Sequence, residues 1–222
     1  MQAVIFDMDG VLIDSEPMWK ESEKHVFSSL GVTVTPELSA QSSAMTPKDV
    51  TAFWYNQHPW TGKSLEDAEN EVVCHVEKLI KQRGKAIEGV KEVLELFQNR
   101  NFKIGLSTNA PAHLIPIVLN KLEIASYFQA TSSSDEVEKG KPDPAVYLST
   151  AKKLNIAPEK CIAIEDSVLG MMAAKTAGMT TIAVPSTVNF EDKRFDVSDL
   201  KLKRLLDITD LTLEALINPI SR

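Results

Sequence analysis

The stretch Ala3-Val4-Ile5-Phe6-Asp7-Met8-Asp9-Gly10 decides how this 222-residue chain is read. Ala3, Val4, Ile5 and Phe6 are apolar without interruption, the pattern of a strand buried on both faces in a parallel sheet covered by helices. Two carboxylates, Asp7 and Asp9, follow at the carboxyl end of that strand. In an extended backbone residues i and i+2 project to one side. Both acids would then face one point, and Gly10 lets the chain turn beyond them. Like charges at that spacing raise each other's proton affinity unless a cation lies between them. A metal ion or a shared proton is therefore expected.

Working outward, three helix starts follow. Ser15, with Pro17 in the first turn, opens a helix that closes at Gly31. Thr46-Pro47-Lys48-Asp49 opens a second, running through Phe53 and Trp54 to about Gln57. Ser64-Leu65-Glu66-Asp67 opens a third, which carries Val72, Val73, Val76, Leu79 and Ile80 and stops at Gly84. From Gly89 the rhythm changes, and helical segments alternate with apolar runs at residues 102–106, 161–164 and 179–184. Alternating helix and strand predicts βα units and a parallel sheet. The expected fold is α/β: a discontinuous Rossmann-like core formed by residues 1–14 and 85–222, with a helical cap inserted at 15–84.

Composition narrows the class. Hydrophobic content of 43% and charged content of 25% are those of an ordinary globular chain able to bury a core. A net charge of −7 lacks the basic footprint of a nucleic-acid binder. Cys74 and Cys161 are far apart and belong to no paired-cysteine motif, so neither a disulfide framework nor a zinc site is implied. Met1 is followed almost at once by the apolar strand, without the pattern of a signal peptide, and no apolar run reaches the ~18 residues of a membrane span. A cytoplasmic monomer that engages neither membrane nor nucleic acid is expected.

Ligands of open parallel sheets bind beyond the carboxyl ends of the strands. Four polar clusters fall there: Asp7-Met8-Asp9; Ser107-Thr108-Asn109, before a helix that Pro111 should begin; Lys139-Gly140-Lys141-Pro142-Asp143-Pro144, feeding a helix through Leu154; and Glu165-Asp166-Ser167, before a helix ending near Gly178. Together they suit a phosphate. Backbone N–H groups and the hydroxyls of Ser107 and Thr108 can receive phosphate oxygens at a helix N-terminus. Lys141 supplies a compact positive charge. Asp7 and Asp166, with Glu165 nearby, offer the hard oxygens that Mg²⁺ takes while bridging protein to phosphate.

The run F-D-M-D-G-V-L-I-D-S-E, then S-T-N, K-P-D-P and E-D-S in order, resembles the haloacid dehalogenase superfamily across nearly the whole chain. Order and spacing look like the branch of β-phosphoglucomutases and small-sugar phosphatases. F-W-Y-N-Q-H-P-W, from Phe53 to Trp60, looks most like bacterial 2-deoxyglucose-6-phosphate or hexitol phosphatases. The resemblance implies a Mg²⁺-dependent phosphomonoesterase for a small phosphorylated sugar or polyol. Asp7 would be the nucleophile and a metal ligand, and Asp9 the acid and base, lending its backbone carbonyl to the metal. Ser107, Thr108, Asn109 and Lys141 would hold the phosphoryl group, Asp166 the metal, and Glu165 the metal directly or through water.

Competing functions leave different marks. A β-phosphoglucomutase-like mutase must hold a second phosphate, and its relatives do so with an arginine just before the second cap helix. Here Pro47 stands at that place with Lys48 beside it, which favours hydrolysis. A dehalogenase has no use for Asp9, and a receiver domain lacks a helical insertion. Asp14 and Ser15 read as caps of the first helix, and Trp54, Tyr55 and Trp60 as cap core. Met171-Met172 reads as packing against the sheet, and residues 135–138 as a solvated loop. His25, His58, His75 and His113 lack ligand spacing.

Overall fold

Between β1 (Ala3–Phe6) and β2 (Lys103–Thr108) the chain runs through five helices, α1 (Glu16–Ser29), α2 (Pro36–Ser42), α3 (Pro47–Gln57), α4 (Leu65–Arg83) and α5 (Val90–Asn99). Beyond them come α6 (Leu114–Lys121), β3 (Ala130–Ser133), α7 (Ala145–Leu154), β4 (Cys161–Glu165), α8 (Val168–Thr176), β5 (Thr180–Ala183), β6 (Leu200–Lys201) and α9 (Asp210–Ile217). This computed structural model describes residues 1–217. Among them the strands form one parallel sheet in the order β3-β2-β1-β4-β5-β6.

β1 is central. Ala3 to Phe6 align with Lys103 to Leu106 on one side and Cys161 to Ile164 on the other. The strand order reverses at β1, so the crossovers leave in opposite directions and a crevice opens at its carboxyl end. The side chains alternate between two cores. Val4 and Phe6 pack with Leu94 and Phe97 of α5 and Val118 of α6, whereas Ala3 and Ile5 pack with Tyr147 and Ala151 of α7 and Ala174 of α8. All four β1 residues are fully buried, as their unbroken apolar run requires.

Four strands are legible as apolar runs, and the sheet has six among the described residues. β3 is Ala-Thr-Ser-Ser and β6 is two residues long. Both lie at sheet edges, and neither carries an apolar signature: β6 is too short, and in β3 the buried Ser132 and Ser133 satisfy their hydroxyls through Ser149 and the Ala110 carbonyl. Pro111 does not begin α6: Leu114 N donates to Pro111 O at 3.0 Å in a preceding turn, and the helix starts at Leu114. Met171 is buried as expected, while Met172 on the opposite face is exposed.

Helices α3 and α4 start where capping chemistry places them. The hydroxyls of Thr46 and Ser64 accept from Asp49 N at 3.2 Å and Asp67 N at 3.0 Å. Thr35-Pro36 starts α2 in the same way, a helix not expected from the sequence. The chain leaves and re-enters the sheet side by side: Asp14 N donates to Lys85 O at 3.1 Å, Ile87 N donates to Leu12 O at 3.1 Å, and Ile13 bridges Ala86 antiparallel. Phe27 packs against Trp54 and Trp60, each at 5.9 Å between ring centroids. Among the described residues no helix is long and apolar enough to cross a membrane.

α1 also turns one acid inward. Glu23 is buried, and Trp54 Nε1 donates to its Oε2 at a long 3.4 Å. Burial pushes its carboxyl from the ordinary 4.5 up to about 7, against the Trp54 hydrogen bond and the charge of Lys20. Between those two values the folded protein binds this proton more tightly than the unfolded chain does, so the group costs stability as pH rises through the window. Glu23→Gln removes the slope. The expected result is a thermal stability near wild type at pH 4 and a gain on the order of 3 kcal/mol at pH 8. Melting curves across that range that stay parallel for the two proteins would contradict the effect of burial on this acid.

Candidate active site

Three loops at the carboxyl ends of β1, β2 and β4, with the turn before α7, enclose the floor of a cleft of about 920 Å³. Helix α1 and the α2–α3 connection form its opposite wall, and residues 186–195 line one side. Asp7 sits at the floor, where β1 ends. Its N–H continues the sheet by donating to Ile164 O at 3.0 Å, which fixes the backbone under the carboxylate.

Lys141 organises the floor. Its Nζ donates to Asp7 Oδ1 at 2.5 Å, to Glu165 Oε1 at 2.6 Å and to the backbone oxygen of Ser107 at 2.9 Å. The residue is 6% exposed, and the Tyr147 ring covers its ammonium at 5.0 Å. Burial works against the ammonium charge, but the attraction of Asp7 and Glu165 outweighs it and holds Lys141 above its ordinary range.

Glu165 is fully buried and fully engaged. Its Oε1 also accepts from Tyr147 OH at 2.7 Å, and its Oε2 accepts from Ser167 N at 3.3 Å and Ser167 Oγ at 3.0 Å. Gly170 gives it room, since a Cβ there would fall 1.8 Å from Glu165 Oε1.

Asp166 reaches the floor across Gly10. At a φ of +81° only glycine is unstrained, and a Cβ would meet Asp166 Oδ2 at 2.0 Å. Among the described residues, Asp7, Glu165 and Asp166 offer carboxylate oxygens that all lie within 4.8 Å of one another. One ammonium cannot neutralise three carboxylates. The deficit falls on Asp7 and Asp166: burial, then neighbouring negative charge, lifts Asp166 well above its ordinary range, and burial lifts Asp7 to about 8 despite Lys141. An all-oxygen, charge-deficient cluster of this kind fits a hard divalent cation.

Asp9 does not join that cluster, contrary to the expectation that both acids face one point. β1 stops at Phe6, and a turn follows in which Leu12 N and Ile13 N donate to Met8 O at 2.9 and 3.1 Å. The extended backbone on which the expectation rested is absent. The Asp9 carboxylate points instead to α1, where Oδ1 accepts from Ser15 Oγ at 2.5 Å and Trp19 Nε1 at 2.9 Å. Burial raises its proton affinity, partly opposed by those two donors and by Lys141.

The strand-end polar residues after β2 divide. Thr108 lines the cleft. Ser107 does not face it: its hydroxyl lies 2.8 Å from Thr150 Oγ1, between β2 and α7, and it reaches the floor through its carbonyl. Asn109 borders the cleft but spends its amide on backbone, with Oδ1 accepting from Lys141 N at 2.8 Å and Nδ2 donating to Ala44 O at 3.0 Å and Lys141 O at 3.2 Å. The helix N-terminus expected beside them is absent, because α6 begins five residues after Asn109.

Three residues hold the acids in roles their sequence positions do not show. Ser15 stands before α1 as a cap would, but its φ of −104° and ψ of −12° are helical, its side chain caps nothing, and it serves Asp9. Trp19 follows at i+4, a spacing that would have linked the two had Ser15 been read as a partner of Asp9. Tyr147 sits inside α7 with no local mark of its role.

Residues 4–184 match the family described as haloacid dehalogenase-like hydrolase. Hexitol phosphatase B of Escherichia coli K12 is 36% identical over 208 residues, covering 93% of this chain and 94% of that one. A phosphorylated carbohydrates phosphatase of Thermotoga maritima is 34% identical over 182 residues, 82% of this chain and 84% of its own. Among solved structures, a β-phosphoglucomutase from Clostridium difficile superposes with a TM-score of 0.86 at 21% identity, covering 98% of this chain and 97% of that one, a likeness of fold. A putative β-phosphoglucomutase from Thermotoga maritima gives 0.74 at 31% identity, covering 96% and 99%. With the family match spanning most of its length and a relative this similar across nearly all of both proteins, the chain belongs to the haloacid dehalogenase-like hydrolases.

Proposed function

We propose that the protein is a phosphatase that hydrolyses phosphomonoesters of small sugars or polyols through an aspartyl-phosphate on Asp7. The observation that carries this reading is the buried carboxylate of Asp7 at the strand end, held 2.5 Å from Lys141 Nζ on the floor of a cleft large enough for a sugar phosphate. The names of the relatives, hexitol phosphatase B and phosphorylated carbohydrates phosphatase, support the substrate class.

In this reading Asp7 attacks phosphorus. A bond forms between a carboxylate oxygen and phosphorus as the bond to the sugar oxygen breaks, and Asp9 gives its proton to the departing alkoxide. Water then attacks the acyl phosphate, Asp9 takes back a proton, and phosphate leaves with Asp7 restored. The raised proton affinity of Asp9 suits a group that must carry a proton at neutral pH, and Ser15 and Trp19 aim it. Lys141 and Thr108 face the phosphoryl oxygens, and Lys141 balances their spreading charge. Glu165 and Tyr147 fix the ammonium, while Ser107 and Asn109 fix the backbone around it, so these four act by positioning. Asp7, Asp166 and the Asp9 carbonyl would hold Mg²⁺, with Glu165, the third carboxylate of the cluster, reaching it directly or through water; when bound, the ion offsets the repulsion between the Asp7 carboxylate and an anionic substrate. Residues 15–84 form a cap whose two crossings at 12–14 and 85–87 act as its joint. Lys48 is exposed and lies outside the lining of the cleft, which favours hydrolysis over transfer to a second phosphate site.

Purified protein is expected to release phosphate from p-nitrophenyl phosphate and from hexitol or hexose 6-phosphates when Mg²⁺ is supplied, and to stop when it is chelated. Asp7→Asn should lower turnover by more than about 10³-fold. Undiminished turnover in that variant would sink the nucleophile. Asp9→Asn separates the two half-reactions. p-Nitrophenolate leaves without a proton, so rapid mixing should show a burst of about one equivalent per enzyme, followed by turnover slowed about 10²- to 10⁴-fold. Slow release from the first turnover would assign Asp9 a different task.

A further inference from the structure

α1 carries a stripe of residues four apart, Ser15, Trp19, Glu23 and Phe27, that begins at the helix start with the two donors to Asp9. Residues at this spacing share one face of a helix. Trp19, Glu23 and Phe27 all line the cleft. With a rise of about 1.5 Å per residue, Glu23 stands roughly 6 Å along the helix beyond the indole that touches Asp9.

Its surroundings make a carboxyl costly there. Phe27, Val50 and Val72 are apolar residues of the same cleft lining, and the one hydrogen bond to the carboxyl among the described residues is the 3.4 Å contact from Trp54 to Oε2. Burying an acid with one weak partner is unfavourable, and an apolar side chain would serve packing alone better. Oε1 has no protein partner among those residues and is open to the cleft. Resting on the sugar or polyol phosphatase reading above, we infer that Glu23 is a specificity residue, whose carboxyl hydrogen-bonds a hydroxyl of the substrate several atoms removed from the phosphate ester. Burial lifts the group to about 7, so near neutral pH it can both donate to and accept from a hydroxyl, without a full charge facing an anionic substrate. Lys20, one turn earlier on α1, is paired with Glu16 at 2.6 Å and leaves the position to Glu23.

Steady-state kinetics of the wild type, Glu23→Gln and Glu23→Leu test this on sorbitol 6-phosphate, glucosamine 6-phosphate and p-nitrophenyl phosphate, with Mg²⁺ present and folding checked by thermal melting. The expected result is a kcat/KM for sorbitol 6-phosphate lowered about 10- to 100-fold in Glu23→Leu and only a few-fold in Glu23→Gln, which keeps both donor and acceptor. Turnover of p-nitrophenyl phosphate, which has no hydroxyl to lose, should change by less than about threefold in both. Equal losses on both substrates would make Glu23 a packing residue, and no loss on either would remove it from the site. A wild-type preference for the amino sugar phosphate that disappears in Glu23→Gln would replace the hydroxyl with an ammonium ion and overturn the assignment. A wild type that cleaves p-nitrophenyl phosphate but neither sugar phosphate would overturn the substrate class itself. A wild type active on sorbitol 6-phosphate with unaffected Glu23 variants would overturn this inference alone.

Discussion

A single ammonium group shared among buried carboxylates is the constraint on which the site depends. Lys141 meets Asp7, Glu165 and the Ser107 carbonyl at once, and each lies on a different part of the sheet. Its position therefore requires β1, β2 and β4 to be in register to within a hydrogen bond. The central pairing of β1 with both neighbours provides that register, and Asn109 adds to it by accepting from the Lys141 N–H. Removing any one partner would leave an unpaired charge in a dry place, where the cost is several times that at the surface.

The sheet's interior was plain in the sequence because burial writes itself as apolar runs. β1, β2, β4 and β5 lie in the middle of the sheet and each shows such a run, whereas β3 and β6 lie at its edges and show none. The four polar clusters were legible for a related reason: a charged or hydroxyl-rich turn directly after a buried strand is costly to fold unless a site makes use of it. Direction was not legible. Nothing local to Ser107, Asn109 or Asp9 says which way the side chain turns, because that depends on residues such as Thr150, Ala44 and Ser15 that are distant in sequence or look like helix caps. Tyr147 illustrates the limit, since an aromatic residue on a helix face reads as core until Glu165 is seen beside its hydroxyl.

α1 joins two tasks that could have fallen to separate elements. Its first turn supplies Ser15 and Trp19 to Asp9, and its next supplies Glu23 to the body of the cleft. One rigid element thus fixes the Asp9 carboxylate and lines the cleft, so any shift of α1 moves both together.

The antiparallel contact between residues 12–14 and 85–87 has a bearing on the history of the chain. Its two ends are pinned together by the sheet side of the molecule, so whatever lies between them closes a loop whose entropy grows only slowly with length. Helices can be added, lost or replaced wholesale between those points while β1 keeps its neighbours. Such an exchange would leave Asp7, Lys141, Glu165 and Asp166 with their partners, while Asp9 would have to find new donors in place of Ser15 and Trp19.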